Sequence, residues 1–183
     1  MGTLEGRVAL VTGAGRLRGI GRATALALAE QGADVVVTGT GRDPSSFPDD
    51  EKKANWRDVE STAEQIRAHG RRALTWTGDV SQAEAVSDLV DRIMKTFGRL
   101  DVLVNNAAYP RGNDRVPLPE LDEKIWRRVL DIKLTGAFLL CKRIVPIMMK
   151  EQWGRVINLS SIAGKRGSPT PPPTTWRTSA SRA

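Results

Sequence analysis

The sequence predicts a doubly wound α/β domain, in which helices cover both faces of a parallel sheet. Short runs rich in β-branched apolar residues alternate with segments of helical length and periodicity. The runs are almost entirely apolar, as parallel strands buried on both faces are. The chain has 183 residues, of which 40% are hydrophobic, and this is enough for one buried domain. We therefore expect one domain with about five strands.

The elements follow one another in regular alternation. Strands are expected at Arg7–Thr12, Val35–Val37, Ala73–Trp76, Val102–Val104 and Val156–Leu159. Helices are expected at Ala23–Gln31, Trp56–His69, Ser81–Phe97 and Leu121–Lys150, the last beginning near Asp122. A polar stretch at Gly39–Asn55, rich in glycine, proline, serine and aspartate, is expected to connect the second strand to the second helix.

The composition changes near residue 164. Residues 1–164 are expected to form the α/β domain, whereas residues 165–183 contain Pro171–Pro173 and follow no regular period. These last residues are expected to form an irregular, disordered tail. They carry four basic residues and no acid, so the net charge of +7 leaves only +3 for the domain. This balance disfavours nucleic-acid binding, and we expect no nucleic-acid partner.

Location and membrane contact are predicted from two features. The longest apolar stretch, Leu134–Met149, is interrupted by Lys142 and Arg143 and is too short to cross a bilayer. The single cysteine, Cys141, has no internal partner for a disulfide, and the N-terminus lacks a signal segment. We expect a cytoplasmic protein with no membrane partner. One histidine and one cysteine, far apart in the sequence, give no support for a metal site.

Three motifs stand at the ends of predicted strands. A glycine-rich segment, Thr12-Gly-Ala-Gly-Arg-Leu-Arg-Gly-Ile-Gly21, lies where the first strand meets the first helix. Such a turn lets backbone N–H groups and a helix N-terminus approach a pyrophosphate. Gly78-Asp79-Val80 follows the third strand, and Asn105-Asn-Ala-Ala108 follows the fourth. Together the motifs predict a dinucleotide-binding site.

The three motifs resemble those of the short-chain dehydrogenase/reductase family, in the compact form similar to 3-oxoacyl-acyl-carrier-protein reductases, over about residues 5–164. The resemblance implies a Rossmann-like fold, a small-molecule carbonyl or alcohol substrate, hydride transfer and a homo-oligomeric full-length parent. It implies cofactor contacts at Thr12, Gly13, Arg16, Arg18, Gly19, Ile20, Gly21, Arg42, Asp79, Val80, Asn106, Ala107 and Ala108. The glycine motif here carries two extra residues, and Ala108 replaces the family's glycine.

The residue at the end of the second strand predicts which dinucleotide binds. An acid at this point hydrogen-bonds the ribose of NAD, whereas the 2′-phosphate of NADP needs cations. Gly39 occupies the position of the acid. Arg18 resembles the arginine that NADP-preferring relatives place on the phosphate, and Arg42 or Arg16 can join it, with Asp43 opposing. We expect NADP rather than NAD.

The catalytic half departs from the family pattern. Ser161 matches the family's catalytic serine, and Lys133 stands where the family has an asparagine that helps hold a proton-relay water. The family's Tyr-x-x-x-Lys is absent near Thr174, and the only tyrosine is Tyr109. Hydride transfer to a carbonyl leaves an alkoxide that must take a proton, a contribution of roughly 100- to 10,000-fold in rate. We therefore expect impaired activity.

Three explanations of this pattern stay open. The chain is a truncated or frameshifted reductase, since a shifted frame near codons 168–173 permits His-Tyr-Val-Ala-Asn-Lys, which contains Tyr-x-x-x-Lys. Alternatively, it is a non-catalytic dinucleotide-binding protein with a natural end after residue 183. A basic nucleic-acid-binding domain is the third alternative.

Overall fold

The chain folds around a five-stranded parallel sheet with the strand order β3-β2-β1-β4-β5. The structure, a computed structural model, describes residues 2–110, 112–114 and 116–160. The predicted α/β class with five parallel strands is confirmed. The strands are β1 Val8–Val11, β2 Asp34–Gly39, β3 Ala73–Thr77, β4 Val102–Asn105 and β5 Arg155–Asn158.

Six α-helices connect the strands within the described residues. They are α1 Ile20–Glu30, α2 Asp49–Lys53, α3 Val59–Ala68, α4 Ala83–Phe97, α5 Glu123–Leu130 and α6 Gly136–Lys150. Short 3₁₀ turns occupy Pro44–Ser46 and Leu118–Glu120. In this part of the chain, no helix has the length and apolar content needed to cross a membrane.

The segment between β2 and α3 is more ordered than the sequence predicted. The polar stretch Gly39–Asn55 contains the helix α2, and the helix expected from Trp56 begins only at Val59. Asp58 explains the later start, since its backbone has φ of 50°, outside the helical region. Trp56 is therefore outside the helix, and its side chain is buried.

Two further helix boundaries are also corrected. The helix expected from Ser81 begins at Ala83, because the backbone N–H and the hydroxyl of Ser81 both bind Asp79. The single helix expected over Leu121–Lys150 does start after a capping Asp122, but a π-helical turn separates α5 from α6. A π-helical turn inserts an extra residue per turn and is found frequently at functional sites.

Two hydrophobic clusters lie on the two faces of the sheet. Successive side chains of a strand point to opposite faces, so Leu10 and Leu103 join one cluster while Val11 and Val104 join the other. The first cluster is covered by α4 and α6, and the second by α1 and α3. The central strands β1 and β4 are thereby buried from both sides.

The strand order places a crevice at one edge of the sheet. After β3 the chain crosses to the other side of β1, so the direction of winding reverses between β1 and β4. Val11, the last residue of β1, pairs with Val37 on one side and with Val104 on the other, while β2 and β4 continue to Gly39 and Asn105. In open α/β sheets ligands bind in the crevice beyond this point, which here begins at Thr12 and Asn105.

Candidate functional site

The glycine-rich turn runs from the end of β1 to the start of α1 and fits closely against its neighbours. A methyl group on Gly21 would lie 2.5 Å from the carbonyl oxygen of Gly13 and 2.6 Å from Nδ2 of Asn106, so only glycine fits. Gly13 has φ of 70°, a conformation that favours glycine. Gly19 caps α1 without a side-chain acceptor, and Ile20 at the first position is 64% exposed.

Thr12 and Asn106 tie the glycine-rich turn to the end of β4. The Thr12 hydroxyl donates to the carbonyl of Val104 and accepts from the backbone N–H groups of Asn106 and Ala107, each at 3.0 Å. The Asn106 amide donates to the carbonyls of Thr12 and Gly13 at 2.7 and 3.0 Å. The turn and the β4 end therefore form one hydrogen-bonded unit, beyond which Ala108 is exposed.

The β2–α3 connection supports the glycine-rich turn from the other side, which the sequence did not reveal. Glu51 of α2 is buried and accepts from the backbone N–H of Leu17 at 3.0 Å. The Trp56 indole N–H donates to the carbonyl of Gly15 at 2.6 Å. A buried acid and a buried tryptophan in a polar stretch are the signals that point to this role, but the burial itself is visible only in the structure.

The three arginines expected at the cofactor occupy different surroundings. Arg16 is exposed, and Arg18 pairs with Asp50 at 3.0 Å while its side chain stays 83% exposed. Arg42 is half-buried and pairs with Glu51 at 2.7 Å and with Asp58 at 3.2 Å. The NADP prediction took Arg18 and Arg42 as cations available for a phosphate, whereas each of them is already paired with a carboxylate.

Asp79 and Val80 lie at the end of β3 as expected. Burial raises the pKa of Asp79, but hydrogen bonds from Ser81 and Arg128 outweigh it and hold the pKa below its usual range. Arg128 donates to Asp79 at 2.6 Å from helix α5. Val80 is buried and would lie 3.0 Å from a methyl group on Gly136, at the start of α6. Asp79 thus connects the end of β3 to helix α5, and Val80 lies against the start of α6.

A cavity of about 220 Å³ opens beyond the ends of β4 and β5. Thr12, Asn105, Lys133 and Asn158 contribute polar groups, and residues of the π-helical turn and α6 supply an apolar wall. The Asn105 amide donates to Asn158 Oδ1 at 2.8 Å, while its own oxygen is buried without a hydrogen-bond partner among the described residues. A buried acceptor of this kind is suited to a hydrogen-bond donor of a ligand.

The described residues hold no cluster of histidine, cysteine, aspartate or glutamate able to bind a metal ion. The polar groups at the site are backbone amides, the Thr12 hydroxyl, the side-chain amides of Asn105 and Asn106, and ion pairs. Such groups bind phosphates and a polar ring, as a dinucleotide requires.

A family model described as short chain dehydrogenase matches residues 7–173 of this chain. The chain belongs to this family. The matched residues include the glycine-rich turn, the segments around Asp79 and Asn106, and the residues that line the cavity. The resemblance found in the sequence is thereby confirmed.

Curated relatives of the chain are named as reductases and dehydrogenases. The 3-oxoacyl-[acyl-carrier-protein] reductase of Synechocystis sp. is 38% identical over 169 residues, which cover 92% of this chain and 61% of the relative. The cis-4-hydroxycyclohexanecarboxylate dehydrogenase of Sinomonas cyclohexanicum is 42% identical over 161 residues, 88% of this chain and 57% of the relative. The chain thus spans about three fifths of the length of these relatives.

Solved structures of the family superpose closely on the chain. An NAD⁺-bound xylitol dehydrogenase matches with a TM-score of 0.81 and 32% identity, over 97% of this chain and 62% of that protein. A metagenomic short-chain oxidoreductase in complex with NADP matches with a TM-score of 0.80 and 31% identity, over 98% of this chain and 73% of that protein. Short-chain dehydrogenases of this shape therefore include proteins solved with either dinucleotide.

Of the two residues expected to act in catalysis, Lys133 lies among the described residues and Ser161 does not. Lys133 lies in the π-helical turn and lines the cavity. Ser161 and the tail at 165–183 lie outside the described residues. Their expected roles stay predictions.

Proposed function

We propose that this short-chain dehydrogenase binds a nicotinamide dinucleotide across the carboxyl ends of β1 and β4, with hydride exchange with a carbonyl or secondary alcohol as its reaction. The observation that carries the proposal is the glycine-rich turn, in which Gly21 has no room for a methyl group and Asn106 holds two carbonyls. At Gly13, Gly19 and Gly21 the backbone carries no side chain, which suits close approach of a pyrophosphate.

Each part of the site has a separate task toward the dinucleotide. Thr12, Gly13, Gly19, Ile20 and Gly21 form the turn and helix start proposed to face the pyrophosphate. The Asp79–Val80 segment at the end of β3 is proposed to bind the adenine, and the Asn106–Ala108 backbone to lie under the nicotinamide half. When bound, the nicotinamide ring supplies or accepts the hydride.

The supply of the proton that accompanies the hydride limits the proposed chemistry. An alkoxide formed from a carbonyl needs a proton donor. We propose that Ser161 hydrogen-bonds the substrate oxygen and that the Lys133 ammonium, at the wall of the cavity, takes part in proton movement. A serine hydroxyl orients a substrate better than it donates a proton, and Tyr-x-x-x-Lys is missing from this sequence. Turnover is therefore proposed to be slow.

The NADP preference expected from Gly39 belongs to this proposal as its finer part. Of the arginines invoked for it, Arg18 and Arg42 are paired with carboxylates and Arg16 is exposed, and the titration below compares the two dinucleotides directly. The cytoplasmic location, the absence of a nucleic-acid partner and the oligomeric full-length parent stay predictions.

The test is titration of the full chain with NADH and with NADPH. Energy transfer from tryptophan to the reduced nicotinamide is the signal that reports binding. We expect saturable binding of at least one of them, and a small carbonyl compound should then cause slow loss of the reduced-nicotinamide absorbance. Gly21→Ala should abolish binding, whereas Ala23→Ser, exposed on the same helix, should bind normally. Binding without turnover would favour the non-catalytic alternative, and binding of neither would overturn the proposal.

A further inference from the structure

Arg128 of α5 binds the segment that follows β3. Its guanidinium donates to Asp79 Oδ2 at 2.6 Å and to the Ser81 hydroxyl at 2.7 Å. The side chains of Arg128 and Asp79 are 38% and 34% exposed, so the pair is partly shielded from water. A guanidinium that binds two acceptors at once fixes their positions as well as its own. One side chain thus joins two segments that lie 49 residues apart in the chain.

The Asp79 carboxylate keeps room for one further hydrogen-bond donor. Oδ1 accepts from the backbone N–H and the hydroxyl of Ser81, at 3.0 and 2.7 Å, which fills both of its lone pairs. Among the described residues, Oδ2 accepts from Arg128 alone. An ionised carboxylate oxygen can accept two hydrogen bonds, so Oδ2 has one position left. A third of the Asp79 side chain is exposed, so the carboxylate is not sealed from a ligand.

Helix α5 depends on this contact because little else of the helix is buried. Of its eight residues, Glu123–Leu130, only Val129 is buried. The π-helical turn Asp131–Thr135 follows directly and has no buried residue, and Lys133 in this turn lines the cavity. The ion pair of Arg128 therefore anchors the helix that leads into the Lys133 turn.

The amino group of adenine is a hydrogen-bond donor, and the proposed function assigns the adenine to the Asp79–Val80 segment. A carboxylate binds such a donor more tightly when its orientation is fixed in advance, since less side-chain freedom is then lost on binding. We propose that Arg128 is a positioning residue for both halves of the site: it fixes Asp79 toward the adenine amino group, and it fixes α5 and the turn that carries Lys133. This inference rests on the proposed function.

The competing possibility is that Arg128 blocks Asp79 instead of positioning it. A guanidinium 2.6 Å from Oδ2 competes with any other donor for that oxygen. If Arg128 blocked the carboxylate, Arg128→Met would bind the dinucleotide more tightly than the unsubstituted chain, because Oδ2 would be released. If Arg128 positions the carboxylate, the same variant binds the dinucleotide more weakly.

The experiment compares the reduced dinucleotide that binds more tightly with its hypoxanthine analogue, in which an oxygen replaces the amino group of the adenine. Dissociation constants are measured on the full chain by the same tryptophan energy transfer. We expect the adenine form to bind about tenfold more tightly, the contribution of one hydrogen bond to a charged group. Arg128→Met should abolish this preference, and Arg128→Lys, which keeps a charged donor, should retain part of it. Arg127→Met, which changes a side chain that is 75% exposed in the same helix, should leave the preference unchanged.

Hydrogen exchange followed by mass spectrometry tests the effect on the turn that carries Lys133. The amides of residues 131–135 should exchange faster in Arg128→Met than in Arg127→Met, because α5 has lost its anchor. The amides of β1 and β4 should exchange at the same rate in both variants, since these strands are buried and make no contact with Arg128.

The preference for the adenine form separates positioning from folding. A role in folding alone would weaken both forms equally and raise exchange throughout the chain, and this result would overturn the inference. Equal exchange of the turn in the two variants, or tighter dinucleotide binding by Arg128→Met, would overturn it as well. If the unsubstituted chain bound both forms equally, the inference would fail and the proposed function would stand. Binding of neither NADH nor NADPH would remove both.

Discussion

Glu51 supports the glycine-rich turn from a buried position, and its removal tests how the turn is held. Its side chain is only 3% exposed and accepts from the Leu17 N–H at 3.0 Å and from Arg42 Nη1 at 2.7 Å. Glu51→Ala removes both acceptor contacts and the packing of the side-chain methylenes. Glu51→Ala is therefore expected to loosen the turn while leaving unchanged the residues proposed to contact the dinucleotide.

The size of the effect follows from the contacts. A partly buried N–H left without its acceptor costs about 1–3 kcal/mol, and the lost hydrogen bond from a charged group contributes about 1.5–3 kcal/mol. Arg42 keeps its pair with Asp58, so no unpaired charge is left behind. We expect Glu51→Ala to lower the free energy of unfolding by about 3–5 kcal/mol and to weaken dinucleotide binding.

Urea unfolding followed by circular dichroism measures this free energy. Asp50→Ala is the matched control. Asp50 is the sequence neighbour of Glu51, and its carboxylate pairs with the exposed Arg18, so its removal should lower the free energy of unfolding by at most about 1 kcal/mol. Glu51→Gln keeps an acceptor for Leu17 and should fall between the two. If Glu51→Ala and Asp50→Ala lower the free energy of unfolding by amounts that agree within about 1 kcal/mol, the turn is held by other contacts and the reasoning is wrong.

Three further predictions concern other contacts of the fold. Asn106→Asp turns an acceptor toward the two carbonyls that the amide now holds, so dinucleotide binding should disappear in the titration and urea unfolding should show a loss of about 2–4 kcal/mol. Trp56→Phe removes the indole N–H and part of a buried ring, and since the Gly15 carbonyl keeps a second donor, the same measurement should show a loss of about 1–3 kcal/mol. Burial raises the pKa of Asp101, but hydrogen bonds led by that from Arg99 lower it overall, so this carboxylate stabilises the fold above about pH 4 and loses that effect as the pH falls through its folded-state pKa. Asp101→Asn should therefore be less stable at neutral pH by about 2–4 kcal/mol, with a difference that narrows in acid, and parallel unfolding curves against pH would contradict this.

The strands and the glycine-rich turn could be predicted because their signals are local. Val35–Val37 and Val102–Val104 are runs of β-branched and apolar residues that suit only a strand buried on both faces. The glycines of the turn mark positions where backbone approaches backbone, as Gly21 does against Gly13. Such features are set by neighbours in sequence or by close packing that glycine alone permits.

Helix boundaries and the support of the turn could not be predicted in the same way. Glu51 is indistinguishable in sequence from the exposed Asp49, since both are acids in one polar stretch. Only the approach of Arg42 and Leu17 makes Glu51 a buried acceptor. Likewise, Ser81 satisfies the usual pattern for a helix start, but Asp79 takes both of its donors and moves the start to Ala83.

The prediction of NADP stays a prediction, and the charge argument behind it depends on tertiary contacts. From the sequence, Gly39 removed an acid and Arg18, joined by Arg42 or Arg16, supplied a cation, so the balance favoured a phosphate. In the structure, Val59 and Asp58, at the start of α3, fill the space beside Gly39, and Arg42 is bound by two carboxylates. The shape of the turn is thus encoded locally, whereas the charge beside it is supplied by a segment forty residues further along the chain. A strand-end glycine is therefore informative about cofactor choice only once the residues that fill its empty side are known.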